Sequence, residues 1–172
     1  MNRSTDFSLR ALYEALDARR RERGLSWAGI SREMNGQSER SSGHALSSST
    51  VKGVGSRRVA EGDGVLQMLR WLNRSPESFV AGPQQYDEAE TRWPEVSPPQ
   101  VLRFDTKKMY EALAAQRVER NLTWSQVAKE IGCPAPSLAH LSKGGRTGFP
   151  QVMRIFRWLG RPAAHFTQAS ER

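Results

Sequence analysis

The side chains that most often react or bind metals are sparse and widely separated in this chain. It has one cysteine, Cys133, and three histidines, His44, His140 and His165. This spacing does not fit a zinc site, which groups its cysteine and histidine ligands in close pairs. No serine–histidine–acid arrangement, cysteine–histidine pair or glycine-rich phosphate loop is visible either. We therefore expect no catalytic residue, no metal and no cofactor, and we do not expect an enzyme.

Positive charge is the more informative chemical feature. The chain has a net charge of +8, to which residues 1–81 contribute +4, residues 101–172 contribute +7 and residues 82–100 contribute −3. Two basic units separated by an acidic stretch are typical of proteins that bind a polyanion, most often nucleic acid. On charge alone, a basic protein whose charge serves only to keep it in solution is an equally good interpretation.

An internal repeat determines where these charged residues lie. Residues 13–34 read YEALDARRRERGLSWAGISREM, and residues 110–131 read YEALAAQRVERNLTWSQVAKEI. The match resumes between residues 65–79 and 152–166, where the offset falls from 97 to 87. A self-match at a fixed offset indicates two copies of one structural unit. The change of offset predicts an insertion of about ten residues in the first copy, near 36–45.

Two small domains are therefore predicted, at residues 1–81 and 101–172, with a linker at 82–100. Each domain is long enough to fold around a small core. The linker has four prolines and four acidic residues without periodicity, which argues against a helix or a strand. The insertion is either a tolerated surface loop or a gained contact in which Arg40 or His44 reaches DNA or a partner.

Capping residues and apolar periodicity predict five short helices in each copy. Ser8 and Asp105 are the expected N-caps of the first helix, and Ser26 and Thr123 those of the second. The second helices are predicted at 27–34 and 124–131; the later helices at 48–56, 64–72 and 75–79 in the first copy and at 134–142, 150–159 and 161–166 in the second. The expected fold class is all-α, with two tandem five-helix domains joined by the Pro-rich acidic linker.

The helix order and several residues resemble the lambda-repressor-like (Xre-type) helix-turn-helix family. In the second copy, residues 122–132 read LTWSQVAKEIG, and Leu138 supplies the aliphatic residue that follows the turn in this family. The first copy follows the pattern through Met34, breaks the tight turn with the insertion and rejoins it at residues 49–51. The chain departs from the family at Trp124, where a polar residue is usual. The resemblance covers about 150 of the 172 residues.

The resemblance implies that the third helix of each copy lies in the major groove of double-stranded DNA. It implies base-reading residues at Ser48, Ser49, Thr50 and Lys52, and at Ala135, Ser137, His140 and Lys143. It implies phosphate contacts at the start of the second helix, on Ser26 and Trp27 and on Thr123, Trp124 and Ser125. Arg57, Arg58 and Arg146 are expected to hold the DNA backbone. From the residues alone, Ser48 and Ser137 could equally cap helices, His140 could be an exposed bystander, and the two tryptophans fit a core.

Two different reading helices in one chain imply a sequence-preferring transcriptional regulator with an asymmetric DNA site. Half-sites of such proteins lie about 34 Å apart, one turn of DNA. The chain would act as a monomer with pseudo-dimeric domains, or as a homodimer. The alternative is a protein-interaction adaptor or an antitoxin-like module of the same fold. Its affinity would depend little on salt, whereas DNA binding weakens steeply as salt rises.

Membrane insertion and secretion are not expected. The chain has no stretch of 18 or more apolar residues. Its first ten residues, MNRSTDFSLR, lack the apolar run of a signal peptide. The lone cysteine fits a reducing compartment. We therefore expect a cytoplasmic protein without membrane contact.

Overall fold

The first repeat folds into a run of short helices. The computed structural model describes residues 6–36, 45–97 and 99–171. Within the first repeat the elements are α1 (Leu9–Glu22), α2 (Trp27–Asn35), α3 (Ser48–Lys52), a 3-10 turn (Val54–Ser56), β1 (Ala60–Glu61), α4 (Gly62–Leu72) and a second 3-10 helix (Pro76–Phe79). Apart from the short strand, this is the predicted helix order.

The second repeat follows the same order with one more strand at each end. Its elements are β2 (Val101–Phe104), α5 (Thr106–Glu119), α6 (Trp124–Ile131), α7 (Ala135–Leu141), β3 (Gly148–Phe149), α8 (Gln151–Leu159), a 3-10 helix (Ala163–Phe166) and β4 (Thr167–Ser170). Each predicted helix is therefore present, within one or two residues at most ends, and the last one in each repeat is a 3-10 helix.

Side-chain caps confirm the predicted starts of the first two helices in each repeat. Four side chains accept a hydrogen bond from a backbone N–H in the first turn that follows them: Ser8, Asp105, Ser26 and Thr123. Such caps satisfy N–H groups that have no partner within the helix. After the first helix the chain passes through the left-handed region at Gly24 (φ 63°) and at Asn121 (φ 52°). Glycine and asparagine tolerate that conformation best.

The prediction of an all-α fold is wrong, because the chain also forms two small antiparallel sheets. β1 pairs with β3, and β2 pairs with β4. The short extended segments beside the helices have N–H and C=O groups without helical partners, and strand pairing satisfies them. The eight α-helices and four strands of the described residues make a mixed fold that is mainly helical.

The β2–β4 sheet joins the two ends of the second repeat. Val101 pairs with Ser170 and Phe104 with Thr167. The first repeat has a shorter version of this pairing, a single bridge between Phe7 and Val80. In both repeats, the strand that leads into the first helix is thus held against the chain that leaves the last one.

The ends of the predicted insertion are drawn together by one side chain. The amide of Asn35 donates to the Leu46 carbonyl at 2.9 Å and accepts from the Leu46 N–H at 2.8 Å. The Ser31 hydroxyl also donates to the Leu46 carbonyl. These bonds close the loop, so α3 begins next to the end of α2 despite the added residues. Residues 37–44, including Arg40 and His44, lie outside the described residues, so both interpretations of the insertion stay predictions.

β1 and β3 form a ribbon that joins the two repeats. Ala60 pairs with Phe149 and Glu61 with Gly148. Glu61 and Gly148 are equivalent positions at the offset of 87, so the ribbon is centred on a pair of equivalent residues. The N–H of Gly62 also donates to the Thr147 carbonyl at 2.8 Å, which continues the pairing on the other side of this centre. This is the pattern of an isologous contact about a local twofold axis, made here within one chain.

Each repeat also places the segment before its first helix against the region of the other repeat where the ribbon strand leads into the fourth helix. The Phe7 ring lies 4.6 Å from the Phe149 ring, between centroids. At the equivalent contact Phe104 lies against Gly62, where an added Cβ would be 3.0 Å from the ring. Gln67 of α4 donates to the Leu102 carbonyl at 2.8 Å. These contacts reinforce the symmetric arrangement of the ribbon.

The apolar core runs through both repeats. Buried side chains of the first repeat, such as Leu12 and Leu69, belong to the same cluster as Leu113 and Phe156 of the second. A shared core buries more apolar surface than two separate cores of this size would. The predicted domain boundaries stay a prediction, but the two repeats are in extensive contact.

The connecting segment contains no helix or strand among its described residues, 82–97 and 99–100. Trp93 and Val96 are half-buried and pack against the core. The carbonyl of Val96 accepts from Arg70 of α4 at 2.9 Å. The segment therefore runs along the surface of the molecule and is partly held to it.

We expect replacement of Asp6 with asparagine to lower the free energy of unfolding by about 1 kcal/mol at neutral pH. Asp6 binds Arg154 of the other repeat through both oxygens, at 2.9 and 2.7 Å. Hydrogen bonds from Arg154 hold the pKa of Asp6 below its usual range. The stabilisation is therefore complete above the unfolded-state pKa of about 3.9 and disappears as the pH falls through the lowered pKa.

Urea unfolding of the wild type and of Asp6→Asn at pH 7 and near pH 3 measures this effect. The two proteins should differ at pH 7, and the difference should be smaller near pH 3. An equal difference at both pH values would contradict an ion-pair origin.

No helix in the described part of the chain combines the length and the apolar character needed to cross a lipid bilayer.

Candidate nucleic-acid interface

The second repeat forms a compact helix–turn–helix from α6 and α7. α6 starts with a capping box, in which Thr123 accepts from the Gln126 N–H and Gln126 accepts from the Thr123 N–H. The turn passes through Gly132 at φ 81°, which favours glycine. Val127 of α6 and Leu138 of α7 are fully buried. The apolar faces of the two helices are thereby oriented inward, and their polar faces point to solvent.

Most of the residues that the sequence predicts for DNA contact in this repeat reach solvent. His140 and Lys143 are exposed at the far end of α7, and Ala135 and Ser137 are half-buried near its start. Thr123 and Ser125 are exposed at the start of α6. The Thr123 hydroxyl is already used as a cap, so its oxygen also serves the fold. Ser137 does not cap α7, because Pro134 occupies the N-cap position.

In the first repeat, the cap of α3 is Ser47 rather than Ser48. The Ser47 hydroxyl accepts from the Thr50 N–H at 3.1 Å. It also lies 2.9 Å from the Ser49 hydroxyl and 2.8 Å from the Thr50 hydroxyl. The predicted base-reading hydroxyls of Ser49 and Thr50 are thus already hydrogen-bonded to the cap. Lys52 is exposed in the last turn of α3.

Trp27, a predicted phosphate contact, is half-buried and packs within its own repeat. Its ring is stacked on Tyr13 with 5.5 Å between centroids, and the Arg20 guanidinium lies 4.9 Å from the ring centre. Arg20 also donates to the Leu25 carbonyl at 3.1 Å. The second repeat holds the same three side chains in the same arrangement: Tyr110, Trp124 and Arg117. The core interpretation accounts for these tryptophans, while Ser26 at the helix start is exposed.

A second repeated cluster explains several residues that the two copies share. In the first repeat, Glu33 binds Arg23 through both oxygens at 2.6 and 3.0 Å and accepts from the Trp71 indole at 2.8 Å. Hydrogen bonds from Trp71 and Arg23 lower the pKa of Glu33. The second repeat has the same cluster: Arg120, Glu130 and Trp158. These residues join the first, second and fourth helices and are structural.

The basic loops that follow α3 and α7 lead directly into the ribbon. Arg57 and Arg58 lie between α3 and β1, and both are exposed. Arg146 lies between α7 and β3 and is exposed. Burial raises the pKa of Asp63, and the positive charge of Arg146 offsets a small part of that rise. The three predicted backbone-holding arginines therefore all lie shortly before a strand of the ribbon in the chain.

One cavity lies between α7 and the ribbon. It has a volume of ≈ 330 Å³ and is lined by Ser137 of α7, by Arg146 and by Val59 of the other repeat. Val59 is unusually exposed for an apolar side chain, at 66%. Val59 and Arg146 are equivalent positions at the offset of 87. At this position the first repeat therefore contributes an apolar residue to the cavity and the second repeat a basic one. In the sequence, only the repeat offset relates Val59 to Arg146.

No protein-family model, no curated protein and no solved structure matches this chain. The resemblance to the lambda-repressor-like family therefore continues to depend on the residues and helices described above.

Proposed function

We propose that this protein binds double-stranded DNA through α3 and α7, held as a pseudo-dimer within one chain, and that it regulates transcription in the cytoplasm. The symmetric ribbon between β1 and β3 is the observation that supports this most. Two reading helices related by a twofold axis can enter two successive major grooves of one DNA site. In most such proteins two chains supply this symmetry, whereas here two repeats of one chain would do so.

Charge supports the same proposal. The exposed Arg57 and Arg58 and the exposed Lys143 follow the reading helices. Lysine and arginine side chains bind phosphates and release condensed counterions, which makes the affinity fall as salt rises. The acidic stretch at 82–100 lies between the repeats in sequence. DNA would repel this stretch if the stretch faced the DNA backbone.

The bound site should be asymmetric. α3 presents Ser49 and Lys52, whereas α7 presents Ser137 and His140. Neither helix carries arginine, asparagine or glutamine, the side chains that make the strongest paired contacts with base edges. Sequence preference is therefore expected to be modest and to draw on DNA shape as well as on base contacts.

Selection of bound sequences from a random duplex pool, at low and at moderate salt, tests the proposal. We expect affinity that falls steeply with salt and one enriched motif with two unlike halves. Affinity that does not change with salt, or no binding, would contradict the proposal and favour the protein-interaction alternative.

The arginines of the loop provide a quantitative test. Replacing Arg57 with alanine should weaken binding to all sequences about equally and reduce the slope of log affinity against log salt by about one unit. Arg58→Ala should do the same. Arg10→Ala serves as the control, because Arg10 is an exposed residue of α1 that pairs with Glu14. A full salt slope in both loop variants would argue against backbone contacts there.

A further inference from the structure

A cleft of ≈ 260 Å³ lies between the two repeats, on the side where the chain leaves the first repeat. One wall is the face of α8 that carries Met153, Phe156 and Arg157. The other wall is formed by residues 80–86, including the half-buried Tyr86. Its lining is mainly apolar with a few charged groups, which is the usual composition of a small-molecule site.

Glu77 places a carboxylate in this cleft that is only half satisfied. It comes from the 3-10 helix of the first repeat, and its Oε1 accepts from the Ala163 N–H of the second repeat at 2.7 Å. Its Oε2 is buried and has no hydrogen-bond partner among the described residues. Buried polar atoms in folded proteins are almost always paired, so an unpaired carboxylate oxygen calls for an explanation. Burial also raises the pKa of Glu77, by more than its hydrogen bonds, of which the one from the Ala163 N–H is the largest, lower it.

Two arginines at the rim supply the opposite charge. Arg157 and Arg161 both line the cleft and are exposed. Arg157 is 3.9 Å from Asp6, whose closer bonds go to Arg154, and Arg161 is 3.5 Å from the His165 ring. Arg157 thus shares the Asp6 carboxylate with Arg154, and Arg161 has no ion pair with a carboxylate among the described residues. Guanidinium groups of this kind favour a carboxylate ligand in paired geometry.

We propose that this cleft binds a free amino acid with an apolar side chain. The ammonium group would donate to Oε2 of Glu77, and the carboxylate would contact Arg157 and Arg161. The side chain would pack on Met153 and Phe156. One ligand would thereby supply a donor for the unpaired buried oxygen, an anion for the two rim cations and an apolar group for the apolar wall. Because Glu77 also joins the repeats through Ala163, the ligand would bind at a contact between them.

Thermal unfolding and calorimetric titration without DNA test this site, so the outcome does not depend on the proposed DNA binding. L-phenylalanine and L-leucine are the first probes, followed by the remaining natural amino acids at millimolar concentration. A ligand that binds only the folded protein raises its melting temperature as the ligand concentration rises. N-acetyl-L-phenylalanine lacks the cation and L-phenylalanine amide lacks the carboxylate, so each should bind at least about tenfold more weakly.

Variants identify the site. Glu77→Gln and Arg161→Ala should each reduce amino-acid affinity by at least about tenfold, whereas the exposed control Arg10→Ala should retain it. Arg161 is exposed, so its variant keeps the test valid if Glu77→Gln does not fold. The proposal is overturned if no natural amino acid shifts the melting temperature, or if the shift is the same in Arg161→Ala as in the wild type.

Discussion

Replacing Gly62 with alanine is expected to lower the free energy of unfolding by about 1–3 kcal/mol. Gly62 starts α4 and continues the ribbon between the repeats through its bond to the Thr147 carbonyl. A Cβ on Gly62 would lie 2.6 Å from that carbonyl oxygen and 3.0 Å from the Phe104 ring. A backbone atom and a packed ring cannot both move aside cheaply, so the two repeats should be pushed apart.

Gly29→Ala is the matched control for this substitution. Gly29 lies in α2, and a Cβ there would have its nearest contact at 3.4 Å, with the Ser26 hydroxyl. Because alanine favours helices over glycine, this variant should be as stable as the wild type or more stable, by up to about 1 kcal/mol. Urea unfolding compares the three proteins. Equal midpoints for Gly62→Ala and the wild type would contradict the close packing at the ribbon.

Gly62→Ala also probes the coupling of the two repeats. If both reading helices contact one DNA site, a displaced ribbon alters their relative position, and affinity for the selected site should fall at least about tenfold. Affinity for random DNA should fall less, because phosphate contacts tolerate more displacement than base contacts. An unchanged ratio of the two affinities would indicate that the repeats act independently on DNA.

Replacing Ser137 with glutamate is expected to reduce DNA affinity by about 100-fold or more at moderate salt. Ser137 is the third residue of α7, where a negative charge near the helix start favours the helix itself. The variant should therefore fold as well as the wild type. On DNA, the same carboxylate would face phosphates and base acceptors and repel them.

Ala115→Glu carries the same added charge at an exposed position of α5 and serves as the control. It should lose only the small part of the affinity that follows from net charge. Fluorescence anisotropy with the selected duplex measures both variants, and circular dichroism verifies folding. Equal affinities for Ser137→Glu and Ala115→Glu would show that α7 does not face DNA.

The repeat, the helices and most caps could be predicted from the sequence because each depends on residues close together in the chain. Ser8, Ser26 and Thr123 act on N–H groups within three residues. Apolar spacing then determines which side of each helix is buried. The predicted start of α3 at Ser48 agrees with the structure, but its cap is Ser47 and not Ser48, the alternative cap considered from the sequence, because the run of serines from 47 to 49 offers several similar capping residues.

The strands and the shared surface could not be predicted in this way. β1 and β3 have two residues each and are 87 residues apart, so no periodicity marks them. They pair because the repeats pack together and leave extended backbone that needs hydrogen-bond partners. The same packing places Val59 and Ser137 in the lining of one cavity and Glu77 beside Ala163.

The sequence by itself thus determined two copies of one helical unit, their basic charge and the residues at the helix starts, because these are local properties or direct self-matches. Only the tertiary structure decided that the copies meet about a local twofold axis, that short strands join them and that a cleft lies between them. Those features depend on which surfaces come into contact, and contact between distant segments is a property of the packed core rather than of any single stretch.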